Sequence, residues 1–230
     1  MKKLFVISGS SGVGKGTVIK KFLQRNKDFK LSVSCTTRKK REGEEHGKNY
    51  YFLSRDEFKK AINNGDFLEW AEFSGNLYGT NKKFVQECLD KDENLLLEID
   101  TQGALQVKNK MDNAVLIFIL PPSMEELERR LRGRGTETEE AIQKRLKTVE
   151  SEMENAKAFH YNVVNDDVER AVEEIEGIIK NEQVWFSKNY WKFCTTWITR
   201  KVGLLWLDCW NFSNRRKSCN DSSNSWWKNI

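Results

Sequence analysis

Leu4-Phe5-Val6-Ile7-Ser8-Gly9-Ser10-Ser11-Gly12-Val13-Gly14-Lys15-Gly16-Thr17, continued by Val18-Ile19-Lys20-Lys21-Phe22-Leu23, decides how this chain is read. An apolar run, a glycine-rich turn, a lysine and a helix-forming segment succeed one another, the layout of a phosphate cradle. Glycine lacks the Cβ that would keep successive backbone N–H groups away from phosphate oxygens. The helix start adds unpaired N–H donors and a partial positive charge. Lys15 supplies a mobile point charge. The usual pattern has Ser or Thr directly after the lysine. Here Gly16 stands there, so any hydroxyl needed in a Mg²⁺ shell must come from Thr17.

Outward from this loop, residues 1–183 alternate between apolar and amphipathic segments. Strands are expected at 4–8, 95–99, 115–120 and 161–164, and helices at 15–25, 55–64, 81–91, 101–110, 123–132, 137–158 and 167–182. Ser123 with Glu126 has the spacing of a capping box, and Pro121-Pro122 closes the strand before it. The pattern predicts an α/β fold with a mostly parallel sheet flanked by helices. Ligands of such sheets sit beyond the carboxyl ends of the strands, where the loop, Asp100 and Pro121 fall. Residues 33–82 are polar, aromatic and rich in turn formers, and read as an inserted module. Residues 124–150 are dense in charge and read as a helical lid. That leaves 1–32, 83–123 and 151–183 as the core.

With 230 residues, the chain is long enough for one domain with a substantial core. Mean hydropathy is −0.69, and no stretch approaches the roughly 20 apolar residues of a membrane span. The short apolar run after Lys2-Lys3 ends in the loop, so it reads as a strand and not a signal peptide. Formal net charge is +5, but residues 184–230 hold eight Lys/Arg against two Asp, leaving 31 basic and 32 acidic residues elsewhere. The basic character belongs to the tail, so neither a nucleic-acid nor a membrane partner is expected for 1–183. Five scattered cysteines with no Cys/His cluster suggest a reducing compartment, hence the cytoplasm. The tail carries seven of the eight tryptophans and no glutamate. It is read as an out-of-frame or read-through extension and not a native domain; the alternatives are an aromatic, basic anchor for a partner or membrane surface and, last, a binder of single-stranded nucleic acid.

The inserted segment is more specific. It contains Ser34-Cys35-Thr36-Thr37-Arg38-Lys39-Lys40-Arg41-Glu42-Gly43-Glu44, then Tyr50, Glu69, Tyr78-Gly79-Thr80 and, later, Glu98-Ile99-Asp100. Gly133-Arg134-Gly135, Lys144-Arg145 and Val164-Asn165-Asp166-Asp167 come after these in order. Together these segments resemble the guanylate kinases, from about residue 3 to 182. Ser10 stands where that family often has proline. The resemblance implies a P-loop kinase fold with an inserted GMP-binding module and a lid. It implies transfer of the γ-phosphoryl of ATP to GMP, with Mg²⁺, in purine nucleotide metabolism. ATP and GMP are the expected partners; the oligomeric state stays open.

Carried over residue by residue, the resemblance assigns Gly9, Ser10, Ser11, Gly12, Val13, Gly14, Lys15, Gly16, Thr17 and Asn165 to ATP. Ser34, Arg38, Arg41, Tyr50, Glu69, Tyr78, Thr80 and Asp100 go to GMP. Lys15, Arg38, Arg134 and Arg145 face the transferring phosphoryl. Thr17 serves Mg²⁺, and Asp100 serves either guanine or, through water, the metal. The chemistry fits these types. Guanine offers N1–H and N2–H₂ donors that suit a carboxylate, and adenine lacks both. Arginine's planar fork suits phosphate. Arg129, Arg130 and Arg132 read as a charged helix face, and His46 and His160 as structural or surface residues. Two other readings compete: a guanylate-kinase-like module that binds phosphopeptides, opposed by the intact Lys15 loop, and another nucleoside monophosphate kinase, opposed by Glu69.

Overall fold

The computed structural model describes residues 3–133 and 139–201, with side chains described to residue 184 except at 141, 144, 147 and 150. The chain divides into two units, residues 1–184 and 185–230. The first unit holds both sheets.

Its main sheet has five strands: β1 (Leu4–Gly9), β2 (Phe29–Leu31), β7 (Asn94–Glu98), β8 (Ala114–Leu120) and β9 (Tyr161–Val164). They lie in the order β2-β7-β1-β8-β9, and every pairing is parallel. Parallel sheets need cover on both faces, which explains why β1 is buried at all six residues. Alternate residues separate cleanly. Leu4, Val6, Leu95, Leu97, Leu116 and Phe118 point to one face, against Val85 and Cys88 of helix α3 (Lys82–Asp90) and Ala104 and Val107 of α4 (Thr101–Lys110). Phe5, Ile7, Leu96, Val115, Ile117 and Ile119 point to the other, against Val18, Ile19 and Phe22 of α1 (Lys15–Arg25) and Val172, Ile175 and Ile179 of α7 (Val168–Lys201). Each such side chain contributes about 1.5–3 kcal/mol by leaving water, which makes this three-layer stack the principal core.

A second, four-stranded sheet orders β4 (Tyr51–Phe52), β3 (Cys35–Thr36), β6 (Asn76–Asn81) and β5 (Phe67–Phe73) as β4-β3-β6-β5. It has a small core of its own: Cys35, Phe58, Phe67 and Leu77, with the Phe58 and Phe67 rings stacked at 4.4 Å. Helix α2 (Arg55–Asn64) is held by a full capping box between Ser54 and Glu57 and stops at Gly65, in the left-handed region at φ 72°. Helices α5 (Met124–Arg132) and α6 (Glu139–Asn155) pack through Leu127, Leu131, Ile142 and Val149.

Three expectations change. The capping box at Ser123 is only half formed: Ser123 Oγ accepts from Glu126 N at 3.2 Å, but the Glu126 carboxylate turns to Arg129 and Arg130. Helix α7 runs on to Lys201 instead of stopping at 182, since no Pro or Gly lies between 178 and 201 to end it. The strands β2 to β6 escape the apolar-run criterion because they are short or half exposed. No helix among the described residues is long and apolar enough to cross a membrane.

Candidate active site

Strands β1, β7 and β9 end on the same edge of the sheet, and the loops leaving them meet there. Gly9 closes β1. A Cβ on it would stand 2.8 Å from the Ile119 carbonyl oxygen, so only glycine lets β1 lie this close to β8 here. The loop then turns through Gly12 and Gly14, both at φ 91°. Gly14 is also the N-cap of α1, and no side chain caps that helix. Its first N–H groups are therefore available to a ligand anion. Lys15 folds back and donates to the Ile99 carbonyl at 3.1 Å, just past β7.

The loop opens into a cavity of about 630 Å³. Gly9 to Thr17 line it together with Ser34, Arg38, Arg41, Tyr50, Glu69 and Tyr78, from the second sheet and its loops, and with Asp100. Arg38 donates to Glu44 at 2.7 Å and lies over the Tyr50 ring, 5.4 Å from its centre. Glu44 also accepts from Arg41 N at 2.8 Å, and these bonds, Arg38's first, hold its carboxyl below the usual carboxylate range. Tyr50 and Tyr78 meet edge to face at 6.1 Å. Burial raises the Tyr50 phenol above its ordinary value.

Glu69 is 3% exposed. Burial pushes its carboxyl up to about 7, against a lowering bond from Thr80 and with a further raise from the Asp100 charge. Thr80 Oγ1 donates to Glu69 Oε1 at 2.6 Å. Asp100 caps α4, accepting from Gly103 N at 2.7 Å. Gly103 lets α4 come close to this carboxylate: a Cβ there would stand 3.0 Å from the Glu69 Cδ and closer still to Oε2.

Several residues sit elsewhere than the sequence suggests. Thr80 is wholly buried and reaches the cavity only through Glu69. Asn165 does not line the cavity; its amide donates to the Val13 carbonyl at 2.7 Å and buttresses the loop from below. Arg130 is no plain solvated arginine. It donates to the Asn165 carbonyl at 3.1 Å and ties α5 to the loop. Arg129 and Arg132 do remain exposed, paired with carboxylates of their own helix or of α6. Arg145 on α6 is half-buried and away from the cavity lining, and Arg134 lies outside the described residues. His46 and His160 are structural, accepting from Phe52 N at 3.2 Å and Leu116 N at 3.0 Å.

Three lining carboxylates went unassigned by sequence reasoning: Glu44, Glu98 and Glu152. Glu44 and Glu98 fall inside the Ser34–Glu44 and Glu98–Asp100 motifs. Glu152 has no such signal; it comes from α6 and accepts from Ser11 N at 3.1 Å, with its carboxyl raised by burial. Among the described residues no cluster of three His, Cys, Asp or Glu could hold a metal by itself. Thr17, Glu98 and Asp100 all line the cavity, however. That suits Mg²⁺, which keeps several waters and binds through one or two protein oxygens plus substrate phosphates.

A parallel sheet with an uncapped, glycine-rich loop at its switch point, opening into a polar cavity, defines a nucleotide-binding protein. Comparison with known proteins narrows this. The guanylate kinase family model matches residues 1–182. A guanylate kinase of Caldanaerobacter subterraneus subsp. tengcongensis is 52% identical over 186 residues, 81% of this chain and 90% of the relative. One from Clostridium tetani is 54% identical over 180 residues, 78% of this chain and 86% of the relative. The crystal structure of guanylate kinase from Anaplasma phagocytophilum superimposes with a TM-score of 0.67 at 39% identity, covering 79% of this chain and 86% of that one. This chain belongs to the guanylate kinase family.

Proposed function

We propose that residues 1–183 transfer the γ-phosphoryl of ATP to GMP, giving ADP and GDP, and that the cavity is a two-nucleotide site working in the cytoplasm. One observation carries the reading: the phosphate loop and the buried Glu69 open into the same space. The ATP phosphates lie along Gly9 to Thr17, on loop N–H groups and the α1 N-terminus. Lys15 leaves the Ile99 carbonyl to reach the β- and γ-phosphates. GMP occupies the opposite end. Glu69, oriented by Thr80, accepts from guanine N1–H and N2–H, with Asp100 beside it. Adenine would leave that buried carboxylate unpaired, at a cost of about 1–3 kcal/mol or more. Arg38, Arg41, Tyr50 and Tyr78 hold the GMP phosphate, and the Ser34 hydroxyl serves guanine O6 or its neighbours.

Transfer is in line. A GMP phosphate oxygen bonds to the γ-phosphorus as the bond to the ADP oxygen breaks. The attacking oxygen is already an anion, so no general base is needed. Catalysis is positioning and charge neutralisation. Mg²⁺, when bound, would supply charge neutralisation at the phosphates, and Thr17, with Asp100 through water, would hold it. Helices α5 and α6 form a lid that excludes water, with Arg134 and Arg145 closing over the phosphoryl. A coupled ADP-release assay with GMP, AMP, UMP and dTMP tests the proposal. Turnover with GMP and little with AMP is expected; none with GMP would sink it.

A further inference from the structure

The geometry points to Gln106 and Lys110 of α4 as positioning residues for Glu69, and through it for guanine preference; the inference rests on the GMP kinase reading. Strand β5, which carries Glu69, is the outer strand of its sheet. Its register with β6 slips between Phe67 and Glu69, making Leu68 a bulge directly before the carboxylate. Bulges re-aim the neighbouring side chain but leave part of the ladder unmade. Here α4 takes up the loose edge. Lys110 Nζ donates to the Leu68 carbonyl at 2.6 Å. On the other flank, Gln106 Nε2 donates to the Trp70 carbonyl at 2.7 Å, and its Oε1 accepts from Trp70 N at 3.4 Å.

The backbone is thus held immediately before and after Glu69 by two side chains four residues apart on one helix face. Gly103, three residues before Gln106 on that face, brings the helix up against the Glu69 carboxylate. Neither Gln106 nor Lys110 lines the cavity, so both act through Glu69. Lys110 has a second effect. Its charge favours ionised Glu69, opposing burial and Asp100, and the ionised form is the one that accepts from guanine.

Steady-state kinetics of the full chain and of Gln106→Leu, Lys110→Met and Lys110→Arg, with GMP and with inosine monophosphate, which lacks the 2-amino group, tests this. The KM for GMP should rise about tenfold in Gln106→Leu and in Lys110→Met, the equivalent of one or two hydrogen bonds. The preference for GMP over inosine monophosphate should shrink, while kcat and the KM for ATP change little. Lys110→Arg should restore most of the loss. In Lys110→Met alone, the acidic limb of GMP affinity should move to higher pH. An unchanged KM for GMP, or equal losses toward GMP and ATP, overturns the inference. Should Gln106→Leu not fold, the Lys110 pair decides it by the same criteria. Failure of the unaltered chain to use GMP would instead bring down the GMP kinase reading, and the positioning role with it.

Discussion

Gly103→Ala separates the stability of α4 from the geometry of the guanine site. In a helix interior, glycine is worse than alanine by about 0.5–1 kcal/mol. Gly103 lies in the first turn of α4 and has no positive φ, so alanine suits its backbone. The added Cβ would stand 3.0 Å from the Glu69 Cδ, closer to Oε2, and 3.4 Å from Asp100 Oδ1. Ordinary contact begins near the last of these distances, so the carboxylate must retreat by something on the order of 1 Å. It has little room: Thr80 holds Oε1 at 2.6 Å, and the residue is 3% exposed. Displacement weakens charge-assisted bonds to guanine worth about 1.5–3 kcal/mol each. The KM for GMP should therefore rise about 10- to 100-fold, with the KM for ATP unchanged. The melting temperature should stay within about 4 °C of the unaltered chain, since propensity gain and steric cost oppose one another. Initial rates and thermal unfolding on the same preparations measure both. An unaltered KM for GMP would refute the placement of guanine on Glu69.

Lys15→Ala should nearly abolish turnover yet leave GMP binding by calorimetry largely intact; lost GMP binding would contradict the division of the cavity into two ends. Because burial raises Glu69 to about 7, GMP affinity should weaken as pH falls through neutrality and the carboxylate takes up a proton. The same shift has the opposite sign for stability. A carboxyl that binds its proton more tightly folded than unfolded favours folding at low pH and costs stability as pH rises through about 7. Urea titrations should then find Glu69→Gln more stable than the unaltered chain at pH 8, with the difference fading toward pH 5. Deleting 184–230 should leave turnover unchanged, because Ile179 in the core, the Lys3–Glu182 pair and the Gln183–Asn94 bond all precede the cut; a dead truncation would make the tail part of the enzyme.

The main sheet was legible because its strands are buried on both faces. Leu95-Leu96-Leu97 and Val115-Leu116-Ile117-Phe118-Ile119 leave no alternation to misread, and the glycine-rich loop fixes which end of β1 faces a ligand. The second sheet offered no such signal. Strand β3 is two residues long, and β5 is exposed at Trp70, Glu72 and Phe73, so its pairing rests on partners distant in sequence. A bulge at Leu68 is invisible in one dimension, yet it decides where Glu69 points.

Chemistry-bearing residues were legible where a motif carried them and not where a contact did. Arg130 and Arg132 are two apart in the same charged run, but only Arg130 turns toward the loop, because Asn165 and Val13 offer carbonyls on that side of α5. Glu44 and Glu152 show the harder case. A site for two polyanions is expected to be lined by cations, and composition alone gives no reason to place carboxylates in it. In the folded chain they occupy groups that the proposed function gives to the substrates: Glu44 the Arg38 guanidinium, Glu152 the Ser11 N–H. Such pairing holds the donors in place before substrate arrives, so less reorganisation is left for the moment of transfer. On the proposed function it also means that the GMP phosphate would compete for Arg38 against a carboxylate 2.7 Å away. Removing Glu44 therefore has two opposed effects, a freer cation and a less ordered one, and the sign of the change in GMP affinity reports which of them governs.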